Sequence, residues 1–74
     1  MAIEIKSWRK GKVLYTAKNA VDVREAVQEA VRENADLGYA NLRSANLGSA
    51  DLRYANLRYA NLRSANLGSA DLGY

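Results

Sequence analysis

The chain has 74 residues, of which 49% are apolar and 26% charged, with a formal charge of +3; that is the size and balance of one small soluble domain with a single core. Cysteine, histidine and proline are absent, which excludes disulfides, thiolate zinc sites and the commonest general base. No run of eighteen apolar residues and no signal-type hydrophobic region occurs, so the expected location is cytoplasmic and no membrane is an expected partner.

Residues 1–34 have a mixed composition and are read as a capping segment. Residues 2–6 (AIEIK) alternate, with Ile3 and Ile5 on one side, and residues 13–17 (VLYTA) are rich in strand formers. Between them, Ser7-Trp8-Arg9-Lys10-Gly11-Lys12 carries the glycine and charges of a turn, so the two runs predict a β-hairpin. Trp8 is expected to pack against its own strands or the following helix. Asp22 and Glu25 have the spacing of a capping box, with Val21 and Ala26 as a hydrophobic staple. A helix over 23–33 follows, with Val23, Ala26, Val27, Ala30 and Val31 on one stripe. Asn34 is the expected left-handed stop.

From Ala35 the chain uses eight residue types and reads ADLGY, ANLRS, ANLGS, ADLRY, ANLRY, ANLRS, ANLGS, ADLGY. Alanine is always first and leucine always third. Aligning 35–54 on 55–74 gives identity at 17 of 20 positions, the differences being Asp36/Asn56, Gly38/Arg58 and Arg53/Gly73. On an α-helix, a five-residue period would scatter the leucines around the cylinder. On a flat strand, it would send them to alternate faces. The period fits a chain that turns a corner every five residues, with alanine and leucine inward and the second, fourth and fifth residues outward. The twenty-residue superperiod then makes four sides per coil and two coils. A leucine-rich repeat fits poorly, since its unit is 20–29 residues long.

Tandem A-(D/N)-L-x-x resembles the signature of the pentapeptide repeat proteins, and the likeness covers residues 35–74. It implies a mainly β fold: a right-handed quadrilateral β-helix of two coils, with the N-terminal β-hairpin and α-helix as its cap. It places inside the column Leu37, Leu42, Leu47, Leu52, Leu57, Leu62, Leu67 and Leu72, together with the alanine two before each. Some members of that family occupy the DNA site of topoisomerases by mimicking duplex DNA. That role needs a long acidic rod, whereas this chain has two coils and a positive charge, so gyrase-type mimicry is not expected. The alphabet and the coil identity also suit a consensus-like or engineered solenoid.

Residues twenty apart should stack: Tyr39 on Tyr59, Tyr54 on Tyr74, Arg43 on Arg63, Asn41 on Asn61, Asn46 on Asn66, and Asp51 on Asp71. Stacked amides and rings suit strand spacing, while like charges should cost little in solvent. The fourth position is glycine in four units and arginine in four, so that corner should not require a positive φ.

No nucleophile–base pair, phosphate loop or metal cluster can be assembled from these residues, so neither an enzyme, a cofactor, a metal site nor a small-molecule substrate is expected. The Asp/Asn slot holds asparagine in five of eight units, so it wants a hydrogen-bonding group rather than a charge. The expected role is a structural scaffold. Repeats run to Tyr74 with no capping segment, so Leu57, Leu62, Leu67 and Leu72 should form an uncapped end that joins a second copy in a homodimer or longer stack. The alternative is a protein-interaction module using Tyr39, Arg43, Arg53, Tyr54, Arg58, Tyr59, Arg63 and Tyr74. A second alternative is weak anion or nucleic-acid binding by Lys6, Arg9, Lys10 and Lys12 around Trp8. Such tips are most often simply solvated, and nucleic acid is not the favoured partner.

Overall fold

Alternating β-branched residues at both ends of a glycine-bearing turn give an antiparallel hairpin, β1 (Ile3–Lys6) and β2 (Val13–Ala17). The computed structural model describes residues 2–72. Ile3 faces Ala17 and Ile5 faces Tyr15, but Lys6 faces Val13, which leaves Leu14 as a bulge. A bulge bends and twists its strand. Here it lies beside the tip, where β1 leaves its partner and runs onto the repeat segment. Ser7 bridges Ala40 in the antiparallel sense, and Asn41 N–H donates to the Lys6 carbonyl at 2.7 Å.

Helix α1 spans Val23–Arg32. Asp22 caps it in extended conformation, its side chain accepting from Glu25 N–H at 2.9 Å. The returning bond goes from Val21 N–H to Glu25 Oε1 rather than from the cap itself. The staple expected of Val21 is not made: Val21 is 78% exposed, because the reciprocal bond holds its backbone outside the helix. Asn34 takes φ 60, Asn34 N–H donates to Val31 O, and Ala35 N–H reaches back to Ala30 O. That is a Schellman stop with asparagine at the left-handed position, and it turns the chain directly into the first repeat. Ala26, Val27 and Ala30 are buried, as the apolar stripe requires. Tyr15 Oη donates to Glu29 Oε2 at 2.7 Å, tying hairpin to helix.

In the repeat segment each unit turns over its last three residues and the next alanine. Ala40 N–H donates to Leu37 O, Ala45 to Leu42, Ala50 to Leu47, and so on to Ala70 and Leu67. The positive φ falls on the fifth residue of each unit: Tyr39, Ser44, Ser49, Tyr54, Tyr59, Ser64 and Ser69 lie between 58° and 68°. This is the type II pattern, left-handed at the second central residue. Gly38, Gly48 and Gly68 have no positive φ, so the fourth position does not use glycine's freedom. The second residue braces the corner. Its Oδ1 accepts from the N–H two residues on, in Asp36–Gly38, Asn41–Arg43, Asn46–Gly48, Asp51–Arg53, Asn56–Arg58, Asn61–Arg63 and Asn66–Gly68. Asp and Asn share this acceptor oxygen, which is why they interchange.

Twenty residues bring the chain back beside itself. Parallel bridges join Asp36 to Asn56, Asn41 to Asn61, Asn46 to Asn66 and Asp51 to Asp71. Flanking bonds run between the coils, among them Leu37 N–H to Asn56 O, Leu42 to Asn61, Leu47 to Asn66 and Leu52 to Asp71. Among the described repeat residues these remain single bridges rather than extended strands. A turn every five residues leaves each side too short for consecutive paired residues.

One hydrophobic cluster joins cap and repeats. Leu37, Leu42, Leu47 and Leu52 are buried, and Ile5, Ala17, Ala20, Ala26, Val27 and Ala30 belong to the same cluster. Leu57, Leu62 and Leu67 are half-buried and Leu72 is 37% exposed. The cap lies over the first coil, and of the cap residues Trp8 reaches on to the second. The cap also meets the first coil's backbone edge: Asp51 N–H donates to Gln28 Oε1 at 2.8 Å, and Arg24 donates to the Gly48 carbonyl at 3.3 Å. Among the described residues no helix is long and apolar enough to cross a membrane.

Candidate functional site

The hairpin tip and the tyrosine ladder form one surface. Tyr39 and Tyr59, twenty residues apart, stack with ring centroids 5.2 Å apart and planes inclined at 23°. Trp8 lies on the tyrosine column. Its N–H donates to the Tyr39 carbonyl at 2.9 Å, which lays the indole beside Tyr39 with centroids 5.6 Å apart. Its ring N–H continues to the Tyr59 carbonyl at 2.6 Å. The Arg9 guanidinium lies 5.3 Å from the Tyr39 ring centre, within cation–π range. Trp8 is 47% exposed and Tyr59 69% exposed, so aromatic surface stays open to solvent.

The remaining candidate residues separate by side. Arg43, Arg58 and Arg63 are exposed on the first two sides of the coils, and Arg63 lines a cleft with Trp8 and Tyr59. Arg53 and Tyr54 lie on the fourth side, and Tyr54 is 97% exposed. Tyr74 lies outside the described residues. Arg53 closes on Asp51 through two bonds of 3.0 Å and lies 3.6 Å from Asp71. One guanidinium therefore bridges the carboxylates that the twenty-residue register stacks, relieving their repulsion. Its hydrogen bonds hold the Asp51 carboxyl below the usual aspartate range. A cleft of about 300 Å³ beside α1 is lined by Arg53, Tyr54 and Asp51. Arg32 lines the same cleft, while Arg53 is engaged by Asp51 and Asp71.

The stacked asparagine slots differ in contact. Asn56 Nδ2 donates to Asp36 Oδ1 at 3.0 Å, while Asn66 Nδ2 reaches Asn46 Oδ1 at 3.4 Å. These are braces between coils. Among the described residues, no three carboxylates gather closely enough to hold a metal ion.

Leu57, Leu62, Leu67 and Leu72 belong to the second coil. In the first coil, Leu37, Tyr39, Leu42, Ser44, Leu47 and Ser49 each donate a backbone N–H to the second coil. Among the described residues, the matching N–H groups of Leu57, Tyr59, Leu62, Ser64, Leu67 and Ser69 donate to no backbone carbonyl. Partly exposed leucines and open backbone donors thus share one end. Sequence reasoning missed Trp8 on the tyrosine column and Arg53 between the aspartates. A signal for the second was present, since Arg53 stands two residues after Asp51.

No curated protein and no solved structure matches the chain. The family model for pentapeptide repeats matches residues 33–72 in eight copies. With the five-residue turns and the twenty-residue bridges, this establishes that the chain belongs to the pentapeptide repeat family.

Proposed function

We propose that the chain is a non-catalytic scaffold: a right-handed quadrilateral β-helix of two coils that pairs with a second copy through its C-terminal coil. The observation that carries this reading is the contrast between the coils. The leucines of the first are buried under the cap, whereas those of the second are half-buried or exposed, beside backbone donors with no backbone acceptor among the described residues. Such an edge favours pairing with another edge.

The cap supports a particular arrangement. It covers the first-coil end of each copy, so the end available to each is the same one. Contact between identical surfaces closes as a two-fold pair and does not propagate. A cytoplasmic location suits a chain without cysteine, and the absence of histidine and cysteine supports a role without catalysis.

Sedimentation equilibrium of the 74-residue chain over a wide concentration range tests the reading. A mass twice the chain mass is expected at micromolar concentration, returning to monomer in Leu67→Glu with an unchanged circular dichroism spectrum. A monomer at every concentration overturns it. A mass that keeps rising with concentration contradicts the closed pair.

A further inference from the structure

We infer that the corner formed by Trp8, Tyr39 and Tyr59 is a binding surface for single-stranded nucleic acid. The observation is a juxtaposition of separate parts of the chain. Trp8 at the hairpin tip is fixed by two hydrogen bonds, from its backbone N–H and its ring N–H, against a column of stacked tyrosines, and Arg9 and Arg63 flank it.

Two clefts lie at this corner. One, of about 300 Å³, lies among Trp8, Tyr59, Asn61 and Arg63. The other, of about 380 Å³, lies among Tyr39, Arg9, Lys10 and Lys12. Each joins an aromatic wall to cationic side chains. Unpaired bases stack on exposed aromatic rings while Lys and Arg follow the phosphates, and this combination tolerates any sequence. A duplex hides its base faces and does not suit an exposed ring.

Charge is segregated in the same sense. The first two sides carry Arg43, Arg58 and Arg63 against one acid, Asp36, and Asp36 is occupied by Gly38 N–H and Asn56 Nδ2. Asp51 and Asp71 lie on the fourth side with Arg53. The third side has no charged residue. The modest net charge of +3 thus conceals a concentrated cationic face around the rings, and local concentration is what phosphates sense.

The chain's single tryptophan reports directly on this corner. Its fluorescence would be titrated with a short oligothymidylate at low and at high salt. Quenching is expected, with affinity falling at least tenfold as salt rises. Tyr59→Ser should weaken binding by about tenfold through lost stacking. Arg63→Gly should reduce the slope of log affinity on log salt by about one. Both changes insert a residue that the same slot already holds in other units, so the coil tolerates them, and circular dichroism would verify it. Tyr54→Ser, on the fourth side, should leave affinity unchanged. The inference is overturned by absence of quenching at low salt. It is equally overturned if polyglutamate or a duplex of the same length binds as tightly, or if Tyr54→Ser costs as much as Tyr59→Ser.

Discussion

The Trp8 ring nitrogen and the Tyr59 carbonyl, 51 residues apart, are joined at 2.6 Å. The bond ties the hairpin tip to the second coil, past the first. Tyr59 belongs to the coil that the cap otherwise leaves uncovered, so this contact couples the two ends of the column. Trp8→Phe keeps an aromatic ring on Tyr39 but loses the donor. It should lower the unfolding free energy by about 1 kcal/mol, read by urea denaturation followed by circular dichroism. An unchanged midpoint would show that the bond does not contribute to stability.

The two ends of the leucine column predict opposite sensitivities. Leu37 is fully buried between cap and coil, so Leu37→Ala should cost about 2–5 kcal/mol. In a chain this small, that is enough to abolish the cooperative thermal transition. Leu72 is 37% exposed, and Leu72→Ala should cost under about 1 kcal/mol in the monomer. Equal losses at both positions would be inconsistent with a core concentrated beneath the cap.

The Asp/Asn slot distinguishes charge from hydrogen bonding. Asn46 Oδ1 accepts from Gly48 N–H and from Asn66. Asn46→Asp keeps the acceptor and should change stability by less than about 0.5 kcal/mol. Asn46→Ala leaves a corner N–H without its brace and should cost about 1 kcal/mol. Thermal unfolding of the two variants would show it, and an aspartate as damaging as alanine would contradict the acceptor role.

Tyr15 sets an alkaline limit. Its hydrogen bond to Glu29, then burial and the Glu29 charge, push the phenol from 10.0 up to about 12. A folded-state value above the unfolded one means that the fold favours the protonated phenol. This contribution is complete below pH 10 and is lost as pH rises toward about 12. Tyr15→Phe should therefore flatten the decline in melting temperature across that window. An identical alkaline profile in the variant would rule out Tyr15 as the titrating group.

The backbone corner gives a fifth substitution test of a different kind. Ser49 holds φ 62 without being glycine, a conformation that costs an L-residue about 1 kcal/mol. Ser49→Gly should raise the melting temperature modestly. A lower one would mean that the serine side chain contributes more than the strain it carries.

Much of this fold is legible from spacing alone. Alternation around Gly11 marks the hairpin, and the stripe from Val23 to Val31 marks the helix. Asn34 marks its end, because each signal is local and the backbone conformation follows from nearest neighbours. The five-residue period also dictates an inward Ala/Leu column, and the interchange of Asp and Asn announces a hydrogen-bonding slot. The position of the positive φ was only half legible. Arginine in the fourth slot excludes it there, yet nothing in a row of serines and tyrosines announces that the fifth residue carries it. The Val21 staple fails for a related reason, as a bond to Glu25 holds its backbone away.

Period and polarity, then, are properties of the chain, and they determine which side chains point inward and which residues stack twenty positions apart. What the tertiary structure decided is where the N-terminal segment meets that column. A bulge at Leu14 and a bridge from Ser7 to Ala40 carry Trp8 onto Tyr39 and Tyr59, while Gln28 and Arg24 meet the third and fourth sides of the first coil. No local pattern encodes these contacts, because they depend on the angle between two elements packed around a shared core. Which parts of the column the N-terminal segment touches follows from that angle.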